Sequence, residues 1–295
     1  MEADSAAPAT CKLEREADIP VKVSDGGLLV PALINQTPVQ LQVDTGATGS
    51  MLDQLTVARL ALPADARRTT TLHGTGGDVV TLNARVLSLE VGGEQWQSLS
   101  MATGRLLRRT QEDPPVAGLL GADRLASFDV ELDVPHGRMV LWNVSHCSGD
   151  FVPWTVSHYA VPLVRHIPNR MVAEVAVNGQ PVSALIDWGA RNTVMTGGVA
   201  NTLGITPAML MHDRTGTSWG IDQNRTSFWV HPFDELRIGR EVFHHVGIQV
   251  ADVHAQEAGM LLGADYARTR RIWLSYATRQ MFVVPPRLAT ADASP

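Results

Sequence analysis

Asp44 and Asp187 are the two residues through which this chain of 295 amino acids could do chemistry. Each follows an apolar run and opens a tight turn, Asp44-Thr45-Gly46-Ala47 and Asp187-Trp188-Gly189-Ala190. They lie 143 residues apart, about one domain length. Two carboxylates held about 3 Å apart cannot both ionise, so one keeps a proton. The ionised member can take a proton from a water between them while the protonated one polarises a carbonyl. That chemistry suits amide hydrolysis and asks for no cofactor, no metal and no covalent intermediate.

The elements that must present these carboxylates occur twice. At a constant offset of 143, Asn35 falls on Asn178, Pro38 on Pro181, Val39 on Val182 and Gly46 on Gly189. A second anchor, Leu119-Leu120-Gly121-Ala122-Asp123, matches Leu261-Leu262-Gly263-Ala264-Asp265 at an offset of 142. Equal spacing between two such anchors marks a duplication. Each copy reads as strand: alternating Leu29–Leu33 and Val39–Val43 around Asn35-Gln36-Thr37-Pro38 predict a hairpin leading into the aspartate turn. In that turn glycine is expected for its backbone freedom. A short helix is expected over Leu52–Leu60, and Asp123 and Asp265 are expected as N-caps of further short helices. The boundaries predicted are an N-terminal arm (1–22), a first lobe (23–148), a second lobe (149–286) and a tail (287–295), with the linker between Asn143 and Val156.

Asp44-Thr45-Gly46-Ala47 on an apolar strand, followed by Leu119-Leu120-Gly121 and repeated at Asp187 and Leu261-Leu262-Gly263, resembles the aspartic peptidases of the pepsin and retropepsin clan. The short lobes are similar to the single-chain, two-lobed retropepsin-like form found in bacteria. The resemblance implies an all-β fold, a bilobal acid-protease-like barrel with a cleft between homologous lobes. It implies endopeptidase action on a peptide or protein substrate, with Asp44 and Asp187 as the catalytic dyad and Gly46 and Gly189 as turn glycines.

Two departures from that pattern matter. In the family a threonine or serine follows each aspartate and bonds across to the opposite turn. Thr45 can do so. Trp188 cannot, since an indole offers one donor and no acceptor, so its ring must find a pocket or push the turns apart. A non-catalytic peptide-binding protein impaired by Trp188 is therefore the alternative. Ala47 and Ala190 lack the hydroxyl that stabilises an ionised aspartate in pepsin-like members, so the pair should titrate high and work best in mildly acidic solution.

Hairpin tips that close over the cleft are expected at His73-Gly74-Thr75-Gly76-Gly77-Asp78 and at Trp219-Gly220-Ile221-Asp222-Gln223-Asn224. The first holds no tyrosine, unlike pepsin's flap. Gly216-Thr217-Ser218-Trp219-Gly220 spells the nucleophile elbow of serine hydrolases, but a polar, turn-rich segment follows where a helix is required. Serine hydrolysis through Ser218 is the remote alternative. His244, His245, His254 and Glu257 fit no zinc spacing.

Composition narrows the partners. Hydrophobic residues make up 44% and charged residues 18%, and the net charge is −6, which offers nucleic acid no electrostatic footprint. No run of 18 apolar residues is present to span a membrane. The first ten residues lack the regions of a signal peptide, so the protein is cytoplasmic or a leader has been removed. Cys11 and Cys147 are either a bridge between the N-terminal arm and the linker or two free thiols. A bridge would favour an exported, periplasmic protein. Because one chain supplies both aspartates, a monomer is expected.

Overall fold

The computed structural model describes residues 10–74, 77–106, 111–166, 169–220, 224–253 and 258–286. Most of them lie in strands, and among the described residues no helix is long and apolar enough to cross a membrane.

Each half closes into a six-stranded barrel. In the first, Gly27–Ile34, Thr37–Val43, Val116–Leu120, Met51–Asp53, Glu94–Gly104 and Gly77–Val91 are neighbours in that order, and Leu33 and Ile34 pair with Glu90 and Leu89 to shut the ring. In the second, Arg170–Val177, Gln180–Ile186, Met260–Leu262, Val194–Thr196, Glu241–Ala251 and Arg225–Ile238 repeat the order, shut by Ala176 and Val177 against Arg237 and Leu236. The predicted bilobal all-β architecture is thus the one observed.

Local chemistry explains the first hairpin of each barrel. Asn35 and Gln36 both adopt positive φ, as do Asn178 and Gly179, the two-residue turn whose twist suits a hairpin. The Asn35 carboxamide oxygen accepts from the N–H groups of Leu87 and Ser88, and Asn178 likewise accepts from Glu235, so each turn is tied to the strand that closes its barrel. Apolar side chains from alternate strand positions, among them Leu41, Val43, Leu89 and Leu120 and then Ala184, Ile186, Leu236 and Leu262, fill the interior.

A six-stranded antiparallel sheet joins the lobes. Lys12–Pro20, Arg138–Ser145 and Asp129–Asp133 come from the first half, and Arg271–Ser275, Gln280–Val284 and Tyr159–His166 from the second. Within the expected N-terminal arm, Lys12–Pro20 therefore forms an edge strand. At the centre Val130 pairs with Leu274 and Leu132 with Ile272, a register that the 142-residue offset maps onto itself. The local pseudo-two-fold axis passes here.

Residues 146–158 cross that sheet without regular structure, close to the expected linker, although Asn143 still belongs to a strand. Trp154 and Phe151 from this strap pack on Trp273 and Phe282, and Trp142 stacks on Trp273 at 5.2 Å between ring centroids. Buried Glu131 accepts from the indole N–H groups of Trp142 (2.9 Å) and Trp154 (3.2 Å) and from Arg271 Nε (2.7 Å). Cys11 and Cys147 are joined by a disulfide that fastens the start of the edge strand to the strap, which resolves the choice left open by the sequence in favour of the bridge.

Candidate active site

The aspartates leave the ends of the strands Thr37–Val43 and Gln180–Ile186. Both strands run parallel to the Leu-Leu-Gly segments, with Val43 opposite Leu120 and Ile186 opposite Leu262. The Asp44 N–H donates to Leu120 O and the Asp187 N–H to Leu262 O, both at 3.0 Å. Each carboxylate then turns back on its own loop. Asp44 Oδ1 accepts from the N–H groups of Gly46 (3.1 Å) and Ala47 (2.8 Å); Asp187 Oδ1 accepts from those of Gly189 and Ala190, both at 3.0 Å.

The two turns face each other. A Cβ built on Gly46 would run into the Asp187 carboxyl, and one on Gly189 would run into the Asp44 carboxyl. Neither glycine has a positive φ, so the reason for glycine here is this close approach rather than the backbone freedom expected from sequence. The carboxyl groups are close enough that each shifts the titration of the other.

Thr45 and Trp188 divide the cross-brace unequally. The Thr45 hydroxyl donates to Ile186 O at 2.8 Å and accepts from the Trp188 N–H at 3.0 Å. The Trp188 ring is 1% exposed and belongs to the main core, so it neither separates the turns nor fills the space between the carboxylates. On the other side Gln42 Nε2 donates to Gly189 O at 2.9 Å, a tie between lobes that the sequence did not suggest.

Asp123 and Asp265 correct an expectation. Gly121 and Gly263 occupy the N-cap positions, and neither aspartate caps its helix. Asp123 instead accepts from the Ser50 N–H and hydroxyl, both at 2.7 Å, and Ser50 Oγ accepts from the Gly121 N–H. Asp265 accepts from Thr193 N and Oγ1, both at 2.8 Å, and Thr193 Oγ1 accepts from the Gly263 N–H. These matched clamps hold each aspartate loop against its Leu-Leu-Gly segment. A signal for them existed: Ser50 and Thr193 are hydroxyl residues at the 143 offset. The helix expected over Leu52–Leu60 spans Gln54–Arg59, preceded by a short strand and capped by the Asp53 carboxylate.

Both aspartates titrate above the ordinary carboxylate range. For Asp44 the leading cause is burial, followed by the charge of Asp187; for Asp187 it is again burial, offset in part by the N–H groups of Ala190 and Gly189. The upward direction matches the expectation, but desolvation leads rather than the missing hydroxyls at Ala47 and Ala190. A buried pair of this kind titrates as a unit that keeps one proton.

A cleft of about 230 Å³ opens beside the first turn, between Gly46–Met51 and the hairpin arm Thr70–His73. Met51, Leu72, Ala102 and Leu119 give it an apolar wall. His73 and Asp78 pair across the hairpin, with Nδ1 and Oδ1 2.8 Å apart, next to Gly74 opposite Gly77. Thr75 and Gly76 lie outside the described residues, as do Ile221–Gln223 of the second tip and His254 and Glu257. Trp219 ends the strand Arg214–Trp219, and Gly220 follows it. Ser218 pairs with Thr226 in this hairpin and does not stand between a strand and a helix.

A family model described as aspartyl protease matches residues 30–124 and again residues 173–266, well over half of the chain. The chain belongs to the aspartyl protease family. No curated protein matches it. The two matched stretches each contain one aspartate turn and one Leu-Leu-Gly segment, so the aspartyl protease repeat is present in both lobes.

Proposed function

We propose that this aspartyl protease family member is an endopeptidase that hydrolyses internal bonds of extended peptides with water activated by Asp44 and Asp187. The observation that carries the reading is the reciprocal approach of each turn glycine to the opposite carboxyl, which sets the two acids side by side with no side chain between them. The ionised carboxylate takes a proton from water, the water oxygen bonds to the carbonyl carbon, and the other acid gives its proton to the carbonyl oxygen. Positioned N–H donors on each inner loop replace the solvent that the carboxylates lose. The hairpin ending at Gly74 acts as the flap over the apolar cleft, and the hairpin that begins with Arg214–Trp219 is its counterpart in the second lobe. One chain supplies both halves and works as a monomer, in lobes divided at about residue 148. The disulfide supports an exported, periplasmic location.

The one-sided brace, carried by Thr45 with no hydroxyl at Trp188, favours a second reading, peptide binding without turnover. A peptide library incubated from acid to neutral pH, with and without a transition-state inhibitor of aspartic peptidases, separates the two. Inhibitor-sensitive cleavage that disappears in Asp187→Asn is expected. Cleavage surviving that substitution overturns the dyad, and capture of peptides without cleavage by the wild type establishes the second reading.

A further inference from the structure

The turns carrying Asp44 and Asp187 match, but the strand behind each differs at one position. In the second lobe Val172 lies opposite Leu185, a register that, continued two residues past its last pair, would set Arg170 opposite Asp187, and the Arg170 charge acts on that carboxyl. In the first lobe Leu29 lies opposite Gln42, and the same step brings Gly27 opposite Asp44. Directly opposed residues have Cβ atoms about 4.5–5.5 Å apart. Arg170 is 7% exposed, and its guanidinium stays charged at any relevant pH. A buried permanent cation therefore backs one carboxylate and a residue without a side chain backs the other.

The remaining charges around the turns do not reproduce this asymmetry. Asp123 and Asp265 sit on the two matched helices and are engaged by Ser50 and Thr193. Arg191, just beyond the second turn, is neutralised by Asp25 of the other lobe at 2.7 Å, and Arg268 Nη1 donates to Gly26 O at 3.4 Å. Burial raises the titration of Asp187, and the charge of Arg170 is among the causes that pull it back down.

We propose that Arg170 is a positioning residue that assigns the roles within the pair, holding Asp187 ionised to take the proton of the attacking water and leaving Asp44 to deliver its proton to the carbonyl oxygen. At the end of that step Asp187 carries a proton, Asp44 is ionised and the former carbonyl carbon bears two hydroxyls, so charge and atoms balance. The inference rests on the proposed peptidase chemistry, but it is read without turnover.

The test uses carboxyl-carbon NMR of the full chain labelled at aspartate. Asp44→Asn and Asp187→Asn each leave one member of the pair to titrate. Asp187 in the first variant is expected to ionise at lower pH than Asp44 in the second. Adding Arg170→Met to the first should raise the Asp187 midpoint by about 1–2 pH units, and Arg170→Lys should restore most of that change. The reverse order in the two asparagine variants overturns the assignment, and this comparison decides the matter even if Arg170→Met does not fold. A folded Arg170→Met that alters KM for acidic peptides while leaving the titration unmoved also overturns it, since that marks a substrate contact. A wild type that cleaves no peptide would sink the proposed function and leave these titrations intact.

Discussion

Thr45 and Trp188 hold equivalent places in the two aspartate turns, and the hydroxyl of one receives the backbone N–H of the other at 3.0 Å. One side chain thus supplies both bonds of the brace, to Trp188 N and to Ile186 O, while its counterpart has moved into the core. Thr45→Val would leave a buried N–H and a buried C=O without their partner. A loss of about 2–3 kcal/mol is expected by chemical denaturation, with at least a tenfold fall in peptide cleavage; Thr45→Ser should retain most of both. Restoring the symmetric threonine at Trp188 does not compensate, because the cavity left by the indole costs about 3–5 kcal/mol.

The buried pair makes stability depend on pH with a defined sign. Asp44 and Asp187 both bind protons more tightly in the folded protein than in the unfolded chain. Their contribution is fully present below the ordinary carboxylate range and is lost as pH rises through the elevated folded values, by up to about 1.4 kcal/mol per pH unit for each proton difference. Asp44→Asn removes one acid from this linkage. Urea melts should show the variant gaining on the wild type as pH rises from 4 to 8, while activity is absent throughout; a gap independent of pH would contradict the raised titration.

Glu241 closes a buried network in the second lobe. It binds Arg270 through two bonds of 2.9 and 2.8 Å and accepts the hydroxyls of Tyr159 and Tyr266 at 2.7 and 2.9 Å. Burial pushes its titration up, but the hydrogen bonds from Arg270 and Tyr159 outweigh this and leave it below the usual range. Its contribution is therefore present above that range and lost as pH falls through the depressed value. Glu241→Leu would strand the Arg270 charge, and calorimetry should show a loss of about 3–5 kcal/mol at neutral pH, shrinking in acid.

Cys11 and Cys147 close a segment with a sequence separation of 136. Chain entropy puts the value of such a link at about 5 kcal/mol at most. Reductant, or Cys11→Ser with Cys147→Ser, should lower the thermal midpoint. The sheet register and the aspartate geometry should stay as they are, so cleavage at moderate temperature should persist in the reduced protein.

The duplication made the barrels, the facing aspartates and the paired Leu-Leu-Gly segments legible before any coordinates, because a repeat displays what both copies need. What the repeat could not display is where the copies differ in space. Lys12–Pro20 looked like an arm because its partner, Arg138–Ser145, is more than a hundred residues away. Asp123 looks like a cap because local rules favour that reading, whereas Ser50, 73 residues earlier in the chain, lies beside it and engages it. Gly46 was ascribed to backbone freedom, yet its constraint comes from Asp187 in the other lobe. Arg170 gave no signal of its own until strand register set it beside the second turn.

The strap over the shared sheet makes the two lobes one covalent unit. In an assembly of two identical chains every substitution lands on both sides of the axis at once. A tryptophan after one aspartate would then be a tryptophan after both, with no threonine left to brace the turns. An arginine behind one would be an arginine behind both, and the acids would no longer differ. Continuity of the chain through residues 146–158 lifts that constraint. Each side of the site is free to specialise: one turn keeps the hydroxyl that locks the pair, and the other exchanges it for core volume and a neighbouring positive charge.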